Sequence, residues 1–255
     1  MSKFFLLWIA LGLGLLGSSI FINFLLYNRA KQYYFELNQT RLDPVGLSYY
    51  AQNLQQVTNS TKSRIVFFGD SRAASWTSPQ LDGYEFINRG IPSQTSIQTI
   101  ERFSAHVRLL KPKIVVIQVG VNDLKTIALF PERKQEIIAN CQANINRIVS
   151  ETKSLGAVAI VTTIFPVGEV PLERKSFWSD DIAVAIKEVN TYIATLADDK
   201  TIVFDTFPLL ADARGMMLDK YRLDELHLNP QGYALLDREL VKRIGRLDRS
   251  GKNKK

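Results

Sequence analysis

From Arg64 to the C-terminal tail, short apolar runs of strand length alternate with stretches of helical periodicity, and this alternation constrains the fold more than any other feature of the chain. The runs occupy residues 65–68, 84–87, 114–119, 157–165 and 202–204. Between them, apolar side chains recur at three-and-four spacing: Ile97, Ile100, Val107 and Leu110; then Ile137, Ile138, Cys141, Ile145, Ile148 and Val149; then residues 182–196 and 233–244. Runs with little polar alternation are buried on both faces, which predicts a mainly parallel five-stranded sheet covered by helices on both sides. In such a sheet functional residues gather at the carboxyl ends of the strands.

The N-terminus is a different kind of sequence. Residues 4–27 carry no charge and one strongly polar side chain, Asn23. About 20 apolar residues suffice to span a bilayer as a helix. A cleaved signal peptide has a shorter apolar region ending at a small-residue site; Gly17, Ser18 and Ser19 offer a poor one, and the apolar run continues past them. An uncleaved transmembrane anchor over residues 1–27 is the expectation. Lys3 precedes the run while Arg29 and Lys31 follow it, so charge does not set its orientation. A lone N-terminal span commonly acts as a signal anchor, which places the domain outside the cytoplasm. Residues 28–61, rich in Gln, Asn, Tyr and Ser with a turn at Asp43-Pro44-Val45-Gly46, are expected to form a stalk leading to a domain over 62–245.

The net charge of +7 raises the question of nucleic acid. Residues 242–255 hold seven Lys or Arg against one Asp, so the rest of the chain is near +1. A nearly neutral body offers no footprint to a phosphate backbone, and no nucleic-acid partner is expected. The basic residues 246–255 read as a solvated tail. A single cysteine excludes an intramolecular disulfide, and Cys141 falls on an apolar helix face. Two histidines and one cysteine, far apart in sequence, lack the spacing of zinc ligands, and no metal or cofactor is expected.

The first run ends Gly69-Asp70-Ser71, which puts a serine at a strand's carboxyl end, where backbone N–H groups are free. The G-x-S-x-G pattern of α/β-hydrolases is not met, since Ala73 holds its last position. Near the C-terminus, Asp224 precedes His227 by three residues, a spacing that lets a carboxylate hold the imidazole tautomer able to take a proton from serine. His106 has no such acid and reads as a satisfied helix residue. Two further strand ends carry donors: the Asn122 amide in Gly120-Val121-Asn122-Asp123, and the Gly90 backbone N–H in Asn88-Arg89-Gly90-Ile91-Pro92.

In block order, Gly69-Asp70-Ser71, Gly90, Gly120-Val121-Asn122-Asp123 and Asp224-Glu225-Leu226-His227, followed by Asn229-Pro230-Gln231-Gly232-Tyr233, resemble the SGNH or GDSL-like hydrolases over residues 62–245. The resemblance implies a three-layer, flavodoxin-like α/β sandwich and a metal-free, two-step acyl transfer. It implies Ser71 as nucleophile, His227 as general base and then acid, and Asp224 as its orienter. The oxyanion hole would be the N–H groups of Ser71 and Gly90 with the Asn122 side chain. Arg72 stands where the family's name has leucine, a position at which variation is not expected to abolish activity.

The implied function is hydrolysis of a carboxylic ester, with a lysophospholipid or an acetylated glycan as the nearest substrate classes for a membrane-held enzyme. Two alternatives keep the same fold: an acyltransferase in which a sugar hydroxyl replaces water, and a catalytically silent binding domain. Residues 166–178, which mix Glu169, Glu173, Arg174 and Lys175 with Phe177 and Trp178, are expected to form a rim or lid.

Overall fold

The computed structural model describes residues 2–50 and 61–252 and divides into two compact units, Met1–Pro44 and Val45–Lys255. The first unit is one helix, α1 (Lys3–Leu42), with no buried side chain. The Ser2 hydroxyl accepts the Phe5 N–H at 3.3 Å and caps its start. The one strongly polar side chain of the apolar stretch, Asn23, donates to the Ser19 carbonyl at 2.8 Å, so its amide is satisfied within the helix. By length and composition α1 is a candidate membrane span, a description that a signal sequence also meets.

The helix does not stop at residue 27. It runs on through 28–42, where polar side chains pair along the helix, Arg29 with Gln32 at 3.3 Å and Gln32 with Glu36 at 2.9 Å. The turn at Asp43-Pro44 ends it, because proline has no N–H to extend the ladder. Two parts of the expected stalk over 28–61 take definite structure. Residues 28–42 are helical, and residues 45–50 belong to the second unit: the Gln94 side chain donates to the Val45 carbonyl at 2.8 Å, and the Tyr50 hydroxyl donates to the Gly90 carbonyl at 2.5 Å. The compact domain thus begins at Val45 and not near 62. Residues 51–60 of that stretch lie outside the described residues.

The second unit is built on five strands: β1 (Ser63–Gly69), β2 (Tyr84–Gly90), β3 (Ile114–Gln118), β4 (Val158–Thr162) and β5 (Thr201–Phe204). They lie in the order β2-β1-β3-β4-β5, with all four pairings parallel. This is the flavodoxin-like order, and the expected α/β sandwich is the fold observed. Side chains alternate between the two faces, as the period of two requires. Val66, Phe68, Val115, Ile117, Ala159 and Val161 enter a core covered by helices that contribute Ile100 and Phe103, Cys141 to Val149, and Ile182 to Ile193. Ile65, Phe67, Ile114, Val116, Ile160 and Phe204 enter the opposite core, against Trp76 and Tyr233, Leu236, Leu240 and Ile244. Cys141 is buried in the first of these cores as packing, as its helical spacing implies.

The connections after β1, β2 and β3 position the site. β1 leads into a single turn, α2 (Ser71–Ala74). After β2 a loop leads to α3 (Ser96–Glu101) and α4 (Phe103–His106), short helices joined at Arg102 where the periodicity alone reads as one stretch. β3 leads into α5 (Val121–Lys125), followed by the long α6 (Lys134–Ser154). Beyond β4 lie α7 (Asp181–Ala194) and, past β5, α8 (Phe207–Leu210). The chain closes with α9 (Pro230–Lys252), so the expected basic tail is helical as far as Lys252. Because β1 sits between β2 and β3, chain progression reverses at its carboxyl end, and a crevice opens there.

Candidate active site

The turn from β1 into α2 is set by close packing. Gly69 is the last residue of β1, and a Cβ there would lie 1.7 Å from the Gln118 carbonyl oxygen of β3, so no side chain fits. Asp70 caps α2, its carboxylate accepting the Arg72 N–H at 2.8 Å, while its own N–H reaches the Gln118 carbonyl at 3.1 Å. Asp70 is fully buried, its second carboxylate oxygen has no hydrogen-bond partner, and burial pushes its pKa up to about 6. Ser71 stands next, half-exposed at the first position of α2, where the helix leaves backbone N–H groups without intrahelical acceptors.

His227 arrives on a loop built by local hydrogen bonds. The Asp224 carboxylate accepts the N–H of Leu226 at 2.8 Å and of His227 at 2.7 Å, closing the turn around itself. The Leu223 N–H donates to the His227 carbonyl at 2.9 Å, and Arg222 and Leu228 form an antiparallel bridge. Asn229 then caps α9 by accepting the Gln231 and Gly232 N–H groups at 3.0 Å, with Pro230 at the helix's first position. Within this frame His227 Nδ1 lies 2.8 Å from Asp224 Oδ2, and His227 Nε2 lies 2.9 Å from Ser71 Oγ. A carboxylate can only accept, so Nδ1 carries the proton and Nε2 presents its lone pair to the serine. Burial alone would raise the Asp224 pKa; the hydrogen bonds from His227 and from the Leu226 and His227 N–H groups outweigh it and hold the carboxyl below its usual value.

The loop after β3 brings Asn122 to the same end of the sheet. Gly120 caps α5 with φ +120, and a Cβ there would meet Ile164 Cδ1 at 2.8 Å. One Asn122 amide N–H donates to the Gln94 carbonyl at 3.0 Å, and the second has no partner among the described residues, so it can serve a ligand. The neighbouring Asp123 faces inward: its carboxylate takes the Ser96 N–H at 2.8 Å and hydroxyl at 2.5 Å, and burial raises its pKa to about 6.

Gly90 departs from expectation. Its N–H donates to its neighbour Asn88 Oδ1 at 2.8 Å, and a Cβ would lie 2.2 Å from Ala74 N. Glycine is required here so that the end of β2 can rest on α2, and its N–H is already engaged. A candidate donor that sequence reading did not single out is Ser93, three positions on. It holds a left-handed backbone with φ +64, uncommon for a residue with a side chain, and its N–H has no partner among the described residues. Its neighbour Gln94 is the residue that Asn122 touches.

A buried cation organises this side of the site. Arg102 donates to the Gly69 carbonyl at 2.8 Å, the Arg89 carbonyl at 2.8 Å and the Gln94 side-chain oxygen at 2.5 Å, tying the ends of β1 and β2 to the loop that touches Asn122. His106 is buried beside it. With Nδ1 3.2 Å from Arg102 Nη1 and Nε2 3.2 Å from the Leu47 carbonyl, the ring accepts at Nδ1 and donates at Nε2, the satisfied role its sequence context implies. Across the crevice, residues 166–178 pack on the His227 loop: the Gly168 N–H donates to the Glu225 carbonyl at 2.8 Å, and Arg174 forms an ion pair with Glu225. Leu172 and Phe177 of this segment are exposed.

The sequence profile of the GDSL-like lipase/acylhydrolase family matches residues 58–235. The chain belongs to this family. Membership makes it an enzyme of the carboxylic ester hydrolase class, and the blocks that resemble GDSL-like hydrolases are those that meet at the crevice. Solved structures share the GDSL-like fold. A GDSL-like lipase from Bacteroides thetaiotaomicron is 22% identical, with a TM-score of 0.60 over 82% of this chain and 97% of that one. An acetylxylan esterase from Geobacillus stearothermophilus, seen as a catalytic mutant, is 18% identical, with a TM-score of 0.56 over 73% and 95% of the two chains. The acetyl xylan esterase AlAXEase is 19% identical, with a TM-score of 0.57 over 71% and 99%. No curated protein sequence gives a significant match.

Proposed function

We propose that the protein hydrolyses a carboxylic ester through an acyl-serine intermediate, with Ser71 as nucleophile, His227 as general base and then acid, and Asp224 as the group that orients the imidazole. The observation that carries this reading is the unbroken relay from Ser71 Oγ to His227 Nε2 at 2.9 Å and from His227 Nδ1 to Asp224 Oδ2 at 2.8 Å. Ser71 Oγ attacks the ester carbonyl carbon as its proton passes to Nε2. The bond to the alcohol then breaks, and the imidazolium protonates the departing oxygen. Water attacks the acyl-serine with His227 again as base, the acid leaves, and Ser71 regains its proton. Every transfer is assigned to the chain's own groups, so the reaction is metal-independent.

The charge that develops on the carbonyl oxygen is assigned to the Ser71 N–H and the free amide N–H of Asn122. The third donor is assigned to Ser93, because the Gly90 N–H is held by Asn88. The substrate is an ester of a glycan or a lysophospholipid. The acetylxylan esterases of the same fold support the former, and the apolar helix of this chain supports an enzyme held at a membrane; a lone N-terminal span acting as a signal anchor would put the domain on the extracytoplasmic side. The test is Ser71→Ala in the full-length protein, assayed on an activated acetyl ester and with a serine-directed fluorophosphonate. Turnover should fall by at least about 10³, as in other triads, and labelling should vanish. Labelling retained in the folded variant would remove Ser71 from the role.

A further inference from the structure

Arg72 is fully buried, yet among the described residues no carboxylate lies within ion-pair distance of its guanidinium. Its donors go instead to main-chain carbonyls: Nε to Leu226 at 2.8 Å, Nη1 to Phe165 at 3.1 Å and Nη2 to Pro166 at 3.5 Å. The guanidinium also faces the Phe165 ring, 5.2 Å from its centroid, and the Tyr233 hydroxyl of α9 holds the Arg72 carbonyl at 3.0 Å. Burying a guanidinium that forms no direct ion pair is costly even with the Asp70 and Asp224 charges nearby, and a leucine at this position would avoid that cost. What the arginine supplies in return is geometric. Leu226 precedes His227 directly, its N–H is one of the two that close the Asp224 turn, and its carbonyl is fixed by a fork rooted one residue from Ser71. The planar guanidinium reaches both that carbonyl and the start of the segment after β4, which no aliphatic side chain or point-charge ammonium can do.

We infer that Arg72 is a positioning residue for catalysis: its guanidinium locks the His227 loop onto the nucleophile turn and holds the imidazole in register with Ser71 Oγ. Without the fork the Leu226 and Phe165 carbonyls lose their donor, and the 224–227 turn is free to drift from α2. A misplacement of about 1 Å at a proton-transfer group costs on the order of 10² in rate. The ester-binding surface does not change, so the loss falls on kcat and not on KM.

This inference rests on the Ser71, His227 and Asp224 reading, and the experiment keeps the two apart by running Ser71→Ala beside the Arg72 variants. Full-length Arg72→Leu is compared with wild type for kcat, KM, the rate of fluorophosphonate labelling and circular dichroism. The expected result is a folded protein with kcat and labelling rate lower by about 10² and KM within about twofold. Wild-type kcat in the folded variant overturns the positioning role, while Ser71→Ala still silent would leave the triad standing. An equal loss in KM, with kcat unchanged, likewise overturns it. Should Arg72→Leu fail to fold, Arg72→Lys retains charge and bulk but not the fork, and the same fall in kcat is expected. Wild-type kcat there, or failure of both variants to fold, makes Arg72 a folding residue only and overturns the proposal.

Discussion

Two loops meet at the crevice, each carries an aspartate, and the two carboxyls are pushed in opposite directions. In the Ser71 turn, Asp70 is fully buried at the end of a central strand, has one oxygen without a partner, and is raised to about 6 by burial. In the His227 loop, Asp224 is partly exposed, receives N–H bonds from Leu226 and His227 and the imidazole, and is held below its usual value. One turn is shaped by the sheet, through contacts too close for a side chain. The other is shaped by its own hydrogen bonds. The difference teaches where damage goes: in the first turn, substitution of Gly69, which packs against the sheet, acts on folding, whereas in the second, substitution of Asp224 acts on the chemical step.

The largest expected effect lies in the Ser71 turn. Gly69→Ala drives a methyl group into the Gln118 carbonyl from 1.7 Å, in a strand with neighbours on both sides, and should destabilise by more than about 4 kcal/mol, enough to prevent accumulation of folded protein. A folded Gly69→Ala protein, seen by a cooperative melt near that of wild type, would break the contrast at its first limb. In the His227 loop, Asp224→Asn should leave the melt close to wild type and lower kcat by about 10⁴, because the amide can stabilise the wrong imidazole tautomer. Unchanged kcat would mean that another acid orients His227.

Asn122 tests the ground between the two loops. Asn122→Ala removes the proposed oxyanion donor and its bond to the Gln94 carbonyl, and kcat should fall by about 10² to 10³ with little change in KM. A change in KM alone would assign Asn122 to ground-state binding. The smallest effect is the pH dependence of stability. Asp70 and Asp123 are raised by burial from 3.8 to about 6, so between these values the unfolded chain has lost protons that the native state keeps. Their stabilisation is fully present below about 3.8 and is lost as pH rises through 6, by on the order of 1 kcal/mol per unit of difference. Asp224 acts in the opposite sense, stabilising above the usual carboxylate pKa and losing that contribution as pH falls below it. Denaturant midpoints of the full-length protein should therefore decline between pH 4 and 6, and Asp123→Asn should decline less steeply. A midpoint that rises over that range in wild type would show that the buried pair does not dominate.

Much of this arrangement is legible in the sequence because it is local or periodic. Strands buried on both faces must be apolar throughout, so β1, β3 and β4 stand out as runs. Asp224 and His227 are three residues apart, and their pairing needs no knowledge of the rest of the chain. Gly69-Asp70-Ser71 and Gly120-Val121-Asn122-Asp123 are short motifs at strand ends, and the topology of a parallel sheet brings strand ends to one side. The helix over 28–42 was not legible as such, because a polar stretch without an apolar stripe gives no periodic signal even where pairs such as Gln32 and Glu36 support it.

What sequence alone determined, then, is the class of fold, the apolar N-terminal helix and the pairing of Asp224 with His227. Tertiary structure alone decided how the residues at the crevice are held. The Gly90 N–H turns to Asn88, the Val45 and Tyr50 segment closes on the β2 loop, and the guanidinium of Arg72 reaches a carbonyl 154 positions away. These choices depend on which buried polar group finds which partner once the chain is compact. That is a property of three-dimensional proximity, which no spacing along the chain encodes.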